Sequence, residues 1–385
     1  MDREQQALYK RRRADVMENM GPNSVGVWFG NTERARNSDV NFVFRQDSDL
    51  LYLTGCREPE AILFLCPGGK EGAREVLFVR PRDPKKEIWM GRRLGPERAR
   101  AYYDVDQTYA LQTLPDKAPA LLEGALQVFT PMLHLHMHAQ RVLGWLKQLR
   151  PLRRRGKVTP AHIMDAGALT DEMRLVKQPS ELEWMRHAAA INMDAHRAAM
   201  VMAQPGCYEY ELEALLHYCY RRQGCEGWSY QTIVGTGENA TILHYTENDA
   251  RCEDGELILI DAGCEWNHYA SDITRTFPVN GRFSSQQRDV YTLVLKALDA
   301  ANAMCRPGVM LKEIHLAAVH VLCEGLIALG ILEGPLEQAL EKETYKTFYM
   351  HGTSHWLGLD VHDVGGHYTL EGEARPLVPG MVLTV

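Results

Sequence analysis

The sequence lacks the features that mark membrane proteins, disulfide-bonded scaffolds and nucleic-acid-binding proteins. No apolar stretch approaches the roughly 18 residues of a membrane span, and the first residues contain no apolar signal-peptide core. The nine cysteines form no C-x-x-C pair, so we expect them to be reduced and to act as small apolar residues. The net charge of −7 disfavours nucleic acid as a partner. These absences predict a cytoplasmic protein with no membrane and no nucleic-acid partner.

The chain has 385 residues, of which 45% are apolar and 24% are charged, as is typical of globular proteins. This length exceeds what one hydrophobic core usually supports. A new unit is predicted to begin near Arg174, because Ser180 and Glu183 have the spacing of a capping box at the start of a long amphipathic helix. We therefore expect two domains, residues 1–173 and residues 174–385.

The first half has the pattern of a mixed α/β domain. We expect helices over 4–20, 96–103, 118–126 and 139–149, and strands over 25–29, 61–66 and 76–79. His134, His136 and His138 alternate, and on a strand they would share one face, as zinc ligands sometimes do. Because no carboxylate or fourth ligand lies nearby in the sequence, a polar strand face is the preferred interpretation.

The second half contains an internal repeat. Each copy has a Pro-Gly pair, a glutamate five residues after that glycine, a helix, and later a glycine followed by an apolar strand. The matched positions are Gly206 and Gly308, Glu211 and Glu313, and Gly255 and Gly380. The pattern predicts a duplicated helix-then-strand domain. Asp261 ends the first apolar strand, whereas its equivalent would be the position after Val385, so we expect the second half to be incomplete.

Asp261 and Asp272 carry the strongest chemical signal. If residues 257–262 and 270–277 form a hairpin that turns at Trp266-Asn267, the two carboxylates face each other, with Cβ atoms about 4.5 to 5.5 Å apart. Adjacent carboxylates repel unless a cation or a shared proton lies between them. Their oxygens suit hard divalent ions, and two such ions about 3.5 to 4 Å apart suit hydrolysis by a bridging hydroxide. The pair predicts a metal site, against the alternative of two exposed strand acids.

Four histidines accompany the acid pair. His351, His355 and His362 lie in one segment rich in glycine and aromatic residues, and His244 lies in Ile242-Leu243-His244-Tyr245. We interpret them as one metal ligand and several donors that stabilise charge on a reacting carbonyl.

These residues resemble the motifs of the bacterial Xaa-Pro aminopeptidases, or aminopeptidases P, in the pita-bread metallopeptidase family. The resemblance rests on residues 37–39, 44–49 and 52–55 in the first half and on residues 260–264, 271–279 and 351–358 in the second. It implies an α/β (α+β) fold. A creatinase-like mixed α/β domain would be followed by a pita-bread domain with duplicated helix-strand halves.

The resemblance also implies the metal ligands and the reaction. Asp261 would chelate one metal ion, Asp272 would bridge two ions, typically manganese, and His355 would bind the other ion. The reaction would be attack by the bridging hydroxide on the peptide bond before a proline in second position, which releases the N-terminal residue.

Further residues are implied on the substrate side. His362 would lie near the scissile carbonyl, with His351 and His244 nearer the proline. Trp89 resembles an aromatic side chain that a neighbouring subunit supplies to the site, which implies a homo-oligomer, either a dimer or a tetramer.

The resemblance implies two further glutamate ligands that residues 1–385 do not contain. Asp261, Asp272 and His355 provide a ligand charge of about −2, which balances one divalent ion and not two. We therefore expect at most one bound metal ion and an inactive fragment. The alternatives are an Xaa-Pro dipeptidase, which has the same architecture, and a non-catalytic peptide-binding module.

Overall fold

The computed structural model describes residues 1–69, 73–132, 135–369 and 371–385, without the side chains of residues 135 and 136. It divides into two compact units, Met1–Met173 and Arg174–Val385. Among the helices of these residues, none is both long enough and apolar enough to span a membrane.

The first unit combines one mixed sheet with helices. Its strands are β1 (Ser24–Phe29), β2 (Ala35–Asn37), β3 (Val40–Asn41), β4 (Ile62–Leu65), β5 (Glu75–Val79), β6 (Gln107–Ala110), β7 (Gln127–Thr130) and β8 (His162–Asp165). Its helices are α1 (Arg3–Met20), α2 (Ser48–Thr54), α3 (Pro84–Met90), α4 (Gly95–Tyr103), α5 (Leu114–Leu122), α6 (Leu135–Leu149) and α7 (Gly167–Leu175). The six-stranded sheet has the order β6-β5-β4-β1-β7-β8, and β2 pairs with β3.

The first helix contains the basic run Arg11-Arg12-Arg13. The side chain of Asp2 caps α1 by accepting from the amide of Gln5 at 2.8 Å. Arg13 is fully buried and donates to Glu75 at 2.9 Å, and Arg12 donates to the carbonyl of Tyr52. These arginines hold the unit together and are not available as a basic surface.

The strand interpretation of the alternating histidines is wrong where the structure describes them. His138 lies in α6 and stacks on Phe29 with the ring centroids 4.1 Å apart, while His134 lies outside the described residues. The helix forms because Val142, Trp145 and Leu149 are buried at helical spacing.

The second unit packs helices against short sheets. Its helices are α8 (Pro179–Met202), α9 (Glu209–Arg222), α10 (Ser285–Met304), α11 (Leu311–Ala328) and α12 (Leu336–Glu341). Its strands are β9 (Gly227–Trp228), β10 (Ile233–Thr236), β11 (Leu257–Ala262), β12 (Cys264–Trp266), β13 (Tyr269–Ala270) and β14 (Ile273–Pro278). They form two three-stranded sheets with the orders β10-β11-β14 and β13-β12-β9.

The start of α8 differs from the expected capping box. Gln178 is the N-cap residue, and its amide donates to the side chain of Glu181 at 2.7 Å. Pro179 favours this earlier start because its fixed φ suits the first helical position. The expected N-cap at Ser180 is therefore two residues later than the observed one.

The internal repeat is visible in the backbone hydrogen bonds. The Gly206 amide donates to the Cys252 carbonyl at 2.8 Å, and the Gly308 amide donates to the Leu377 carbonyl at 2.9 Å. Glu211 and Glu313 cap α9 and α11 in the same way. The copies differ at the expected strands: β11 follows Gly255, whereas 381–385 has one isolated bridge, between Leu383 and Trp356.

Candidate active site

The hairpin that carries Asp261 and Asp272 has a different register from the expected one. In the β11–β14 ladder, Asp261 faces Thr274 and not Asp272. The chain turns at Asn267-His268, where both residues have positive φ (50° and 66°), as a two-residue hairpin turn requires. Because the turn is one residue later than predicted, each pairing shifts by two residues. The expected direct pairing of the two acids is therefore wrong.

The shift leaves both acids on the same side of the hairpin. Asp272 precedes Thr274 by two residues, so it is a diagonal neighbour of Asp261. The hydroxyl of Tyr230 donates to Oδ1 of Asp261 and, at 3.0 Å, to Oδ1 of Asp272. One hydroxyl thus reaches both carboxylates. Sequence reasoning missed Tyr230 because a single tyrosine between β9 and β10 has no pattern that marks it.

Burial and the neighbouring acid both act on the carboxylate of Asp261. Burial raises the pKa of Asp261; the Tyr230 hydrogen bond opposes this effect, and the nearby charge of Asp272 adds to it. Within the described ranges, no lysine or arginine forms a salt bridge with Asp261 or Asp272. Neighbouring acids of this kind favour a bound cation.

His355 contacts one of the acids from the other copy of the repeat. Residues 381–385 position it, since the Thr384 amide donates to its carbonyl at 3.0 Å and the His355 amide donates to the Thr384 hydroxyl at 3.1 Å. In the ring, Nδ1 lies 3.0 Å from the Trp356 carbonyl, and Nε2 lies 3.3 Å from Oδ2 of Asp272. A carbonyl only accepts, so Nδ1 carries the proton and Nε2 faces the acid.

The pKa values of two histidines in this group shift in opposite directions. Burial disfavours the protonated ring of His355, but the hydrogen bond with Asp272 and further contacts outweigh it and raise its pKa. His362 lies beside it, with the ring centroids 4.2 Å apart. Burial, followed by repulsion from His355, lowers the pKa of His362.

The loop that bears His362 is held by buried charges. Oδ2 of Asp363 lies 2.9 Å from Nζ of Lys177, and its Oδ1 lies 2.7 Å from Nη2 of Arg174. Arg174 also contacts Asp360 at 2.7 Å. The side chains of Lys177 and Asp363 are each only 1% exposed, so this network fixes the backbone next to His362.

The remaining predicted residues differ in their placement. His244 is exposed, and its charge makes a minor contribution to the pKa shifts of Asp261 and His362. His351 is exposed next to Tyr349, with ring centroids 4.8 Å apart. Trp89 lies on α3 in the first unit and is 87% exposed.

The donors suit a divalent ion in their chemistry, but they are not arranged as a complete cage. Two carboxylates and one imidazole nitrogen are ligands that manganese, zinc and related ions accept. In the part of the chain that the structure describes, no group of three His, Cys, Asp or Glu side chains has the geometry of a metal site. Asp272, His355 and Asp261, which is joined to Asp272 through Tyr230, therefore supply suitable donor atoms without that geometry.

Comparisons with known proteins identify relatives of both units. Residues 183–385 match metallopeptidase family M24, and residues 9–129 match the N-terminal domain of aminopeptidase P. The chain is 42% identical over 377 residues to the Xaa-Pro aminopeptidase of Escherichia coli strain K12, a match that covers 98% of this chain and 85% of that protein.

Solved structures agree with this assignment. The structure of Pseudomonas aeruginosa aminopeptidase PepP has a TM-score of 0.96 and 44% sequence identity, covering 98% of this chain and 85% of that chain. Zinc-substituted E. coli aminopeptidase P in complex with product has a TM-score of 0.94 and 42% identity, covering 98% and 86%. The predicted α/β fold, with an aminopeptidase P-type N-terminal domain and a pita-bread domain, is confirmed.

Proposed function

The chain belongs to metallopeptidase family M24 and is related to the Xaa-Pro aminopeptidases over most of its length, and from this membership we propose that it hydrolyses the peptide bond between an N-terminal residue and a following proline. Residues 1–173 and 174–385 would be its two domains. The substrates would be peptides with proline in second position.

The observation that carries the proposal is the group of two acids and one histidine. Tyr230 reaches both Asp261 and Asp272, and Nε2 of His355 lies 3.3 Å from Asp272. We assign Asp261, Asp272 and His355 as metal ligands. A bound divalent ion lowers the pKa of a water molecule and polarises a carbonyl. Manganese is the metal that we propose.

The histidines around this group would act on the substrate. Because burial and the charge of His355 lower the pKa of His362, its ring is neutral near pH 7. It can then donate one N–H to the scissile carbonyl oxygen without placing another positive charge beside the metal. His244 and His351 would lie nearer the proline side. Trp89 would be supplied by a neighbouring subunit of a homo-oligomer.

We also propose that residues 1–385 alone hold at most one metal ion and turn over slowly or not at all. The three assigned ligands contribute a charge of about −2, too little for two divalent ions that repel each other. The two further glutamate ligands implied by the family resemblance are not among these residues.

A metal titration and a peptide assay test both proposals. Residues 1–385 would be titrated with Mn²⁺ by calorimetry and assayed with an Xaa-Pro-Xaa tripeptide, beside a protein extended with the C-terminal strands of a relative. We expect weak binding of one ion by residues 1–385 and cleavage of the tripeptide by the extended protein.

Other outcomes would contradict one proposal or the other. Tight binding of two ions by residues 1–385 would show that other ligands complete the site. Cleavage of an Xaa-Pro dipeptide but not of the tripeptide would indicate a dipeptidase. Peptide binding without cleavage by the extended protein would indicate the non-catalytic alternative, which the incomplete ligand geometry of the described residues favours for residues 1–385 alone.

A further inference from the structure

A buried carboxylate lies at the first residue of α9. Glu209 is 0% exposed, and its two oxygens accept four hydrogen bonds. The donors are the amide of Thr236 at 2.7 Å, the side chain of Asn239 at 3.2 Å, the hydroxyl of Tyr245 at 2.8 Å and the amide of Ala250 at 2.9 Å. All four donors come from residues 236–250. A buried carboxylate that accepts from four donors is fully satisfied, so this arrangement is stable.

The segment that supplies the donors contains His244. After the short 3-10 helix Gly237–Thr241, the chain turns, and the amide of Tyr245 donates to the carbonyl of Ile242 at 3.3 Å. His244 is exposed at this turn, whereas the neighbouring Tyr245 is buried. The bond from Tyr245 to Glu209 therefore fixes the residue next to His244.

The hydrogen bond from Tyr245 to Glu209 stays intact across the neutral pH range. Burial and the hydrogen bond to Glu209 raise the pKa of Tyr245 to about 12, so its hydroxyl keeps the proton that it donates.

The internal repeat shows that the helix start does not need this carboxylate. Tyr208 and Met310 occupy matched positions, and each forms an isolated bridge, to Arg251 and Pro376 respectively. The next residue is Glu209 in the first copy and Leu311 in the second. Leu311 is buried in an apolar cluster. A glutamate and a leucine thus occupy one structural position, and only the glutamate is joined to a loop that carries a histidine of the site.

We propose that Glu209 is a positioning residue that fixes the segment 236–250 and thereby sets the orientation of His244 toward the acid and histidine group. The role of His244 toward a peptide rests on the proposed function, but its orientation by Glu209 does not.

Imidazole NMR of the full chain, labelled at histidine Cε1, tests this orientation directly. The His244 resonance is assigned with a His244→Gln variant. In Glu209→Gln one acceptor oxygen becomes an amide donor, so we expect the His244 signal to shift or broaden while the signal of His320, exposed on α11, stays in place. Glu211→Gln on the same helix is the matched control, because its side chain only caps α9, and it should leave both signals unchanged.

Hydrogen exchange measures the hydrogen bonds that join residues 236–250 to Glu209. Losing a hydrogen bond to a buried charged group typically raises the population of the locally open state of a segment by about tenfold or more. The amides of Thr236 and Ala250 should therefore exchange about tenfold faster in Glu209→Gln than in Glu211→Gln. Glu209→Leu, which copies the residue of the second copy, should keep a folded α9 and show the same faster exchange. This variant covers the case in which Glu209→Gln folds poorly.

Each result decides the inference. An unchanged His244 signal, or equal exchange at 236–250 in the Glu209 and Glu211 variants, would overturn it. A peptide-binding arm separates it from the proposed function: Glu209→Gln and His244→Gln should weaken Xaa-Pro-Xaa binding, and the double variant should be no weaker than His244→Gln. Additive losses would overturn the action through His244. Absence of binding by the unmodified chain would count against the proposed function, while the NMR and exchange results would still decide the role of Glu209.

Discussion

In the first copy of the repeat, helix α9 begins with the buried carboxylate of Glu209, and in the second copy, α11 begins with the buried side chain of Leu311. The backbone hydrogen bonds around these positions are nearly the same, since Gly206 and Gly308 each donate to a residue that precedes the next apolar segment. The shared hydrogen bonds build the fold of each half, whereas the side chain at this position is a satisfied carboxylate in one copy and part of an apolar cluster in the other.

The apolar segments after the repeated helices also differ between the two copies. In the first copy, β11 is the central strand of a three-stranded sheet, and Asp261 lies near its end. In the second copy, residues 381–385 form an isolated bridge and hydrogen bonds with the segment of His355. The first copy thus contributes one acid from β11 and one from the residue before β14, and the second copy contributes a histidine from a loop. The site arises where they meet, at the contact of Asp272 with His355.

The largest expected effect comes from breaking that contact. Asp272→Asn removes the negative charge that faces His355, and it leaves Asp261 as the only acid of the pair. We therefore expect the Mn²⁺ affinity to fall on the order of 10³-fold, or below detection for a weak site. Calorimetric titration would measure this loss, with circular dichroism to verify folding.

Asp289→Asn is the matched control, because Asp289 is exposed on α10 and carries the same charge. Mn²⁺ affinity of Asp272→Asn within about threefold of that of the control would exclude Asp272 as a metal ligand.

The next effect tests whether the second copy relies on charges to hold its loop. Asp363→Asn leaves the buried ammonium of Lys177 without its carboxylate, which typically costs about 3 to 5 kcal/mol in the free energy of unfolding. Urea unfolding would measure this cost. Asp360→Asn should cost about 1 kcal/mol or less, since the Asp360 side chain is 41% exposed. Similar losses in both variants would show that burial of the ion pair does not set its contribution.

The sequence predicted the regular elements of this comparison well. Apolar strands such as β1 and β11, and the starts of α9 and α11 three residues after Gly206 and Gly308, follow from local patterns and turn chemistry. Asp261 and Asp272 were predicted as metal ligands because an apolar strand that ends in an acid is unusual, and that role stays a prediction. An error of one residue in the turn changed the partner of Asp261 but kept the side of the sheet, since side chains alternate with a period of two.

Other features could not be predicted, because they depend on contacts between distant residues. The contacts of Tyr230 and Glu209 form only when the chain folds back by some tens of residues, as the 42-residue separation of Tyr230 from Asp272 illustrates. The alternating histidines of 134–138 also misled the prediction, since alternation suggested a strand while the apolar spacing of Val142 and Trp145 set the helix.

A smaller, pH-dependent effect is expected from His196, which is buried on α8 behind the hairpin of the first copy. Burial lowers the pKa of His196 to about 4, below its value of about 6.5 in an unfolded chain. The unfolded state therefore binds the proton more readily, and the stability that His196 contributes is present above pH 6.5 and lost as the pH falls toward 4. This effect should lower the free energy of unfolding by about 3 kcal/mol between pH 7 and pH 4.

Urea unfolding between pH 7 and pH 4 would measure this effect as the difference between the unmodified chain and His196→Leu. The unmodified chain should lose more stability over this range, because the leucine variant has no ring to protonate. The acids and His355 titrate in both proteins and cancel in the difference. Equal losses would show that His196 does not remain neutral in the folded state.

The smallest effect tests whether the glycines before α9 and α11, Gly206 and Gly308, have the same structural role. Gly206 and Gly308 have φ of 95° and 91°, where an added side chain costs roughly 1 to 2 kcal/mol. An added Cβ meets nothing within 4 Å at Gly308 and only the end of the Arg251 side chain, at 3.1 Å, at Gly206. Gly206→Ala and Gly308→Ala should therefore lower the free energy of unfolding by similar amounts in urea, whereas Gly227→Ala, with open space and an ordinary φ, should change it little. A lower free energy of unfolding in only one of these two variants would show that the turns before α9 and α11 are not equivalent. Glu209 and Leu311 would then not occupy matched structural positions, and the contrast between them would not hold.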